Sequence, residues 1–159
     1  MKAEETAAQS SDTESTAQQM QTGMFTPEIL VPTTIFCDRS LSFLEALVEY
    51  LKEQLNLSYH EIAVLTNRDE RNIWTLYRRA EHKRSATSPD TKKSPFIQIP
   101  LSVVTDRSVS ILEVVVEHLR NKARLSNHQI AMLLNRSDKT VSTVYMRTKK
   151  KRTKTNDAA

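Results

Sequence analysis

Apolar residues recur at helical spacing three times in each half of the chain. Phe43, Leu44, Leu47, Val48 and Leu51 mark one face of a helix over about 42–55, and Ser42-x-x-Glu45 supplies a capping box at its start. A second capping signature, Ser58-x-x-Glu61, opens a short helix through Ile62, Ala63 and Leu65. That helix is expected to stop near Asn67, because Asn tolerates a left-handed backbone and the chain has a single glycine, Gly23. Asp69 then caps a third helix whose inward face is Ile73, Leu76 and Tyr77. In the second half, Ser110-x-x-Glu113, Ser126-x-x-Gln129 and Ser137 stand at the same three starts, and Val141, Val144 and Tyr145 form the third inward face. Ahead of each set lies an apolar run containing Pro, ILVPTTIF and FIQIPLSVV. Both read as extended segments available to pair with one another.

The two halves are copies. Adding 68 to a first-half number gives its counterpart without a gap from Pro32/Pro100 to Arg79/Arg147, and 21 of these 48 positions are identical. Each copy of about 50–55 residues is near the lower size limit for independent folding. The expected fold class is all-α: two tandem tri-helical domains over 29–80 and 97–148, each with its short extended segment in front. Residues 1–28 are Ala/Gln/Ser/Thr/Glu-rich and read as a disordered acidic tail. Residues 81–96 are polar and Pro-punctuated and read as a linker, and 149–159 as a basic tail.

Charge changes the picture by its distribution. Residues 29–84 hold eight acids and eight bases, whereas 97–159 hold twelve bases and five acids. The positive charge therefore belongs to the second copy, and it suits a polyanionic partner. Cys37 is the one cysteine, which excludes an internal disulfide, and Thr105 at the equivalent position marks it as a small packing residue. No apolar run reaches the length of a membrane helix, so no membrane association is expected and the expected setting is cytoplasmic, at the nucleoid.

Ile62-Ala63, Asn67 four places after the Ala, and Ile73 six further on resemble a helix-turn-helix motif, and Ile130-Ala131, Asn135 and Val141 repeat it. The wording is similar to region four of bacterial sigma factors and to response-regulator DNA-binding domains, over about 20–25 residues per copy. Asn stands where that family usually has Gly, and the remaining sigma-factor regions have no counterpart. The resemblance implies that the third helix enters the major groove of double-stranded DNA. Its base-reading face would then be Arg71, Asn72, Trp74, Thr75 and Arg78, beside Glu70, in copy one. In copy two it would be Lys139, Thr140, Ser142, Thr143 and Arg147, beside Asp138. Arg68, Arg79, Arg136, Lys149, Lys150, Lys151 and Arg152 would meet phosphates. The copies keep their apolar scaffold and differ on this face, which suggests a bipartite site with unlike halves. A flexible 16-residue linker would span roughly 20–24 Å on average and about 50 Å at full stretch, enough for half-sites about 34 Å apart.

Other chemistry finds little support. His60-Glu61 lacks the second His of a zinc-protease helix, since Val64 occupies that place, and one glycine cannot build a phosphate loop. No nucleophile–base pair is readable, so no enzyme, metal, cofactor or small-molecule ligand is expected. Trp74 reads as a contact residue or, blandly, as packing beside the first helix. The function expected is sequence-specific transcriptional regulation. The rivals are an architectural nucleoid protein with weak sequence preference and an adaptor in which one copy docks a protein such as a polymerase subunit. The neutral charge of copy one favours the last for that copy, and a homodimer is a further partner to weigh.

Overall fold

The computed structural model describes residues 28–86 and 96–158. The expected acidic tail up to residue 27 and residues 87–95 of the expected linker lie outside the described residues. Strand β1 (Leu30–Pro32) leads through a 3-10 segment (Thr33–Phe36) into helices α1 (Phe43–Glu53), α2 (Tyr59–Thr66) and α3 (Glu70–Ala86). The second copy repeats the order with β2 (Gln98–Pro100), a 3-10 segment (Leu101–Thr105), α4 (Ile111–Asn121), α5 (Asn127–Leu134) and α6 (Asp138–Asp157). The described chain is thus mostly helical with one small sheet. None of these helices is long and apolar enough to cross a membrane.

Local chemistry sets the helix ends. All four capping boxes form, with Ser42, Ser58, Ser110 and Ser126 each accepting from the backbone N–H three residues on. Ser137 caps α6 by accepting from the Thr140 N–H, and Asp69 accepts from the Asn72 N–H at the start of α3. Helices α2 and α5 stop at Asn67 (φ 55°) and Asn135 (φ 54°), both left-handed. The next N–H, of Arg68 or Arg136, then reaches back 2.9 Å to the carbonyl of Ala63 or Ala131. Helices α3 and α6 run past their expected ends, into the residues read as linker and tail.

The two copies share one core. β1 and β2 pair antiparallel, with Val31 opposite Ile99, Leu30 opposite Pro100 and Pro32 opposite Gln98. Since 31 and 99 differ by the repeat offset, the central pair joins equivalent residues and the flanking pairs exchange equivalent residues. That relation is a pseudo-twofold axis through the ribbon. Flanking bonds obey it: Thr33 N–H donates to the Ile97 carbonyl (3.0 Å) and Leu101 N–H to the Ile29 carbonyl (2.8 Å). Each 3-10 segment packs on the first helix of its own copy and the second helix of the other. Val31, Phe36, Ile99, Leu101 and Val104 are buried in the joint. Phe36 stacks on Phe43 with ring centroids 4.7 Å apart, and the Arg136 guanidinium of the other copy lies 5.2 Å from the Phe43 ring centre.

A shared core makes the copies one folding unit. Leu119→Ala is expected to cost about 2–5 kcal/mol and to lower the urea midpoint of Trp74 fluorescence, which reports copy one, as much as that of far-UV circular dichroism. A Trp74 transition left in place would mean that the copies unfold separately. Arg124 has φ 55° where copy one has Asn56 at φ 53°. A long side chain is disfavoured in that region, so Arg124→Asn is expected to raise the stability measured by urea unfolding by roughly 1 kcal/mol.

Candidate nucleic-acid interface

The third helices carry most of the candidate residues. Ile73, Leu76 and Ala80 line the inner face of α3, and Val141, Val144 and Thr148 that of α6, all buried against the helices before them. Tyr77 and Tyr145 border these faces. Tyr145 donates to Asn121 Oδ1 at 3.0 Å, and Tyr77 donates to Glu53. The Glu53 carboxylate, which accepts that proton in a hydrogen bond, holds the Tyr77 phenol up to about 12.

Outward, Arg71, Asn72, Trp74 and Arg78 of α3 are exposed, with Trp74 at 48%. Arg78 is turned along its own helix, 3.0 Å from Glu81 and 5.6 Å from the Trp74 ring centre. Arg79 is exposed, and Thr75 is partly buried with its hydroxyl donating to the Arg71 carbonyl at 3.0 Å. On α6, Lys139, Ser142, Thr143, Arg147, Lys149 and Lys150 are exposed, together with Met146. Thr140 is partly buried and shares a 2.8 Å hydrogen bond with the capping Ser137. Ser142, Thr143, Met146, Arg147, Lys149 and Lys150 line a shallow open groove along one side of the helix. Lys139, Arg147 and Lys150 form no ion pair among the described residues, and the Lys149 ammonium lies 5.7 Å from the Tyr145 ring centre.

The other cations expected at phosphates have different partners. Lys151 binds the two oxygens of Glu113 at 2.9 and 2.8 Å. Arg152 bridges Asp106 (2.5 Å) and Glu117 (2.8 Å). Copy one repeats this set with Lys83 on Glu45 (2.7 Å) and Arg84 between Asp38 and Glu49. Lys83 and Arg84 are the repeat counterparts of Lys151 and Arg152, so the repeat runs further than its unbroken stretch of similarity. Its signal lay in the sequence, in two bases and three acids kept at the same offset. These bonds pin the distal half of each third helix to the first helix of its copy and, through Asp38 or Asp106, to the segment before that first helix.

Arg68 and Arg136 also turn inward. The Arg68 Nη1 donates to the Thr66 carbonyl at 2.7 Å and, across the joint, to the Val104 carbonyl at 3.1 Å. Burial and then repulsion from Arg107 lower the Arg68 guanidinium; burial and then Arg39 do the same for Arg136. Asn67 Nδ2 donates to the Thr105 carbonyl (3.3 Å) and Asn135 Nδ2 to the Cys37 carbonyl (3.0 Å), so the turn before each third helix abuts the other copy. Cys37 Sγ donates to the Leu133 carbonyl at 3.1 Å, which gives this packing residue a place in the joint. Arg39 and Arg107 were not singled out in the sequence. They are exposed and identical in the repeat, and each is close enough to the opposite copy's turn arginine to repel it. Identity at an exposed repeat position was the available signal.

Each third helix begins with a carboxylate that meets a histidine: Glu70 lies 3.3 Å from His60 Nδ1 and Asp138 3.0 Å from His128 Nδ1. Among the described residues no three His, Cys, Asp or Glu side chains converge as metal ligands would.

The pinning network has an acid signature. Hydrogen bonds from Ser108, then the Arg152 contact, hold Asp106 at about 2 against an ordinary 3.8, outweighing the effect of burial. Asp38, Glu45 and Glu113 are lowered as well, against burial, by their hydrogen bonds and cationic partners. A depressed carboxyl contributes its stabilisation above its unfolded value and loses it as pH falls through the folded one. Stability is therefore expected to fall between about pH 4 and pH 2, and less steeply in Asp106→Asn. At neutral pH that variant should cost about 1 kcal/mol or less, the range for partly exposed pairs, by thermal unfolding.

Compared with known protein families, characterised proteins and solved structures, the chain matches none.

Proposed function

We propose that this protein is a sequence-specific DNA-binding protein, a transcriptional regulator in which α2–α3 and α5–α6 act as helix-turn-helix units. The observation that carries this reading is the sorting of charge on α6. Lys151 and Arg152 are neutralised on the inner flank, while Lys139, Arg147, Lys149 and Lys150 stand on the exposed side among short hydroxyl side chains. A helix face of this kind can meet phosphates with Lys and base edges with Arg, Ser and Thr. The left-handed Asn67 and Asn135, following buried Ala63 and Ala131, supply the tight turn and close helix crossing that the motif needs. α6 also has the reach: 20 residues extend about 30 Å.

A second reading is favoured by one patch. On α3, Trp74 stacks with an Arg78 already tied to Glu81, an arrangement that resembles a protein-docking anchor more than a base reader. Under that reading copy one holds a protein and copy two holds DNA.

Selection of bound duplexes from a random pool, at near-physiological salt, tests the proposal. An enriched motif is expected. On that duplex Lys139→Ala with Arg147→Ala should weaken binding by about tenfold or more, since each good base contact is worth roughly 1–3 kcal/mol. Arg71→Ala with Asn72→Ala should relax the preference at other positions. Binding without a motif would favour the architectural role, and no binding would favour docking to protein.

A further inference from the structure

Flexibly tethered reading heads would accept half-sites in either orientation and over a range of spacings. The joint between the copies does not allow that freedom. Its contacts are reciprocal: Asn67 reaches Thr105 while Asn135 reaches Cys37, and Thr33 reaches Ile97 while Leu101 reaches Ile29. In numbers offset by 68 these are the same contacts made in both directions. A head-to-tail arrangement of two copies would make each contact once, and only a twofold relation makes it twice. The Val31–Ile99 pair sits on that axis, because each is the other's repeat counterpart.

Each third helix is fixed to this frame at two places. At its start, the turn Asn67–Arg68 or Asn135–Arg136 bonds or packs against the opposite copy. Towards its end, Arg84 or Arg152 is held by Asp38 or Asp106. Asp38 follows Cys37, whose carbonyl accepts from Asn135, and Asp106 follows Thr105, whose carbonyl accepts from Asn67. The distal part of one third helix is thereby held beside the turn that begins the other. The twofold relation exchanges the two helices, and their separation is set by folded structure.

We infer that the DNA recognised by this protein is an imperfect inverted repeat. Its two halves lie in opposite orientations at one fixed spacing and differ in sequence because the α3 and α6 faces differ. This inference rests on the DNA-reading proposal above and goes beyond it in orientation and spacing. The unlike faces explain why the repeat is imperfect: Arg71, Asn72 and Trp74 stand where copy two has Lys139, Thr140 and Ser142. One base pair turns a half-site about 35° around the duplex, so a rigid pair of helices loses one half-site when spacing changes by a few pairs.

The test uses the full chain and the duplex recovered by selection. Four duplexes are compared by titration: the recovered site, the site with one half reversed, and sites lengthened by five and by ten base pairs. Reversal and both insertions are expected to reduce affinity about tenfold or more, to the level of a single half-site, with one chain bound per recovered duplex. Ten pairs restore the helical face, so a loose tether would recover binding there. Equal affinity for the reversed site, or recovery at ten pairs, would overturn the inference while leaving DNA reading intact. One chain holding two duplexes at once would overturn it in the same way. Failure to bind any duplex would overturn both readings.

Discussion

The antiparallel pairing of β1 with β2 across the pseudo-twofold axis is the constraint on which the rest of the molecule depends. A three-residue strand has no stability of its own, and here each supplies the other's partner. Pro32 and Pro100 stand at ladder positions that make no cross-strand bond, so their missing N–H costs the ribbon nothing, while Thr33 and Leu101 donate the flanking bonds. The fixed φ of each Pro then leads the chain into its 3-10 segment. Those segments carry Phe36 and Val104 into the space between copies. A tri-helical copy of this size buries too little surface to be robust alone. Joined, the copies close one core that includes residues from Val31 to Val144.

The same joint explains several identities in the repeat. Asn67 and Asn135 serve two purposes: each takes the left-handed angle that stops a helix, and each donates its side-chain amide to the opposite copy. Arg68 and Arg136 follow the turn and spend their charge there too, one on a carbonyl of the other copy and one over the Phe43 ring. Cys37 and Thr105 differ as side chains, yet both offer a backbone carbonyl at the same place. Backbone acceptors tolerate such a change, while the donors that reach them are kept.

Electrostatics divides each third helix lengthwise. Bases on the inner flank are met by Glu45, Glu49 and Asp38, or by Glu113, Glu117 and Asp106, and contribute to holding the helix down. Glu45 and Glu113 have a second role in the capping boxes of α1 and α4, so one carboxylate orders the start of a first helix and the distal part of a third. What remains exposed on α6 is mostly basic, Lys139, Arg147, Lys149, Lys150 and Lys154 against Asp138 and Asp157 at its two ends, whereas α3 presents Arg71, Arg78 and Arg79 beside Glu70 and Glu81. The functional asymmetry proposed for the copies follows from this difference on an otherwise shared scaffold.

The sequence by itself determined what is decided within a few residues of the chain. The capping boxes, the helical periods of Phe43–Leu51 and Ile73–Tyr77, and the left-handed stops at Asn67 and Asn135 were all legible, because the interacting groups lie within one or two turns. The exposed faces of α3 and α6 were legible for the same reason, except at Thr75 and Thr140, which are partly buried. That the two Pro-containing runs pair was legible as well, but only the tertiary structure decided their register and the twofold relation it sets. It alone decided that Arg68 and Arg136 turn into the joint, and that Lys151 and Arg152 belong to a helix pinned by Glu113, Asp106 and Glu117. These are contacts between groups 35 or more residues apart, where a basic residue on an exposed tail and one in a half-buried ion pair have the same letter. Their outcome depends on which surfaces the closed core brings together, and a local pattern carries no record of that.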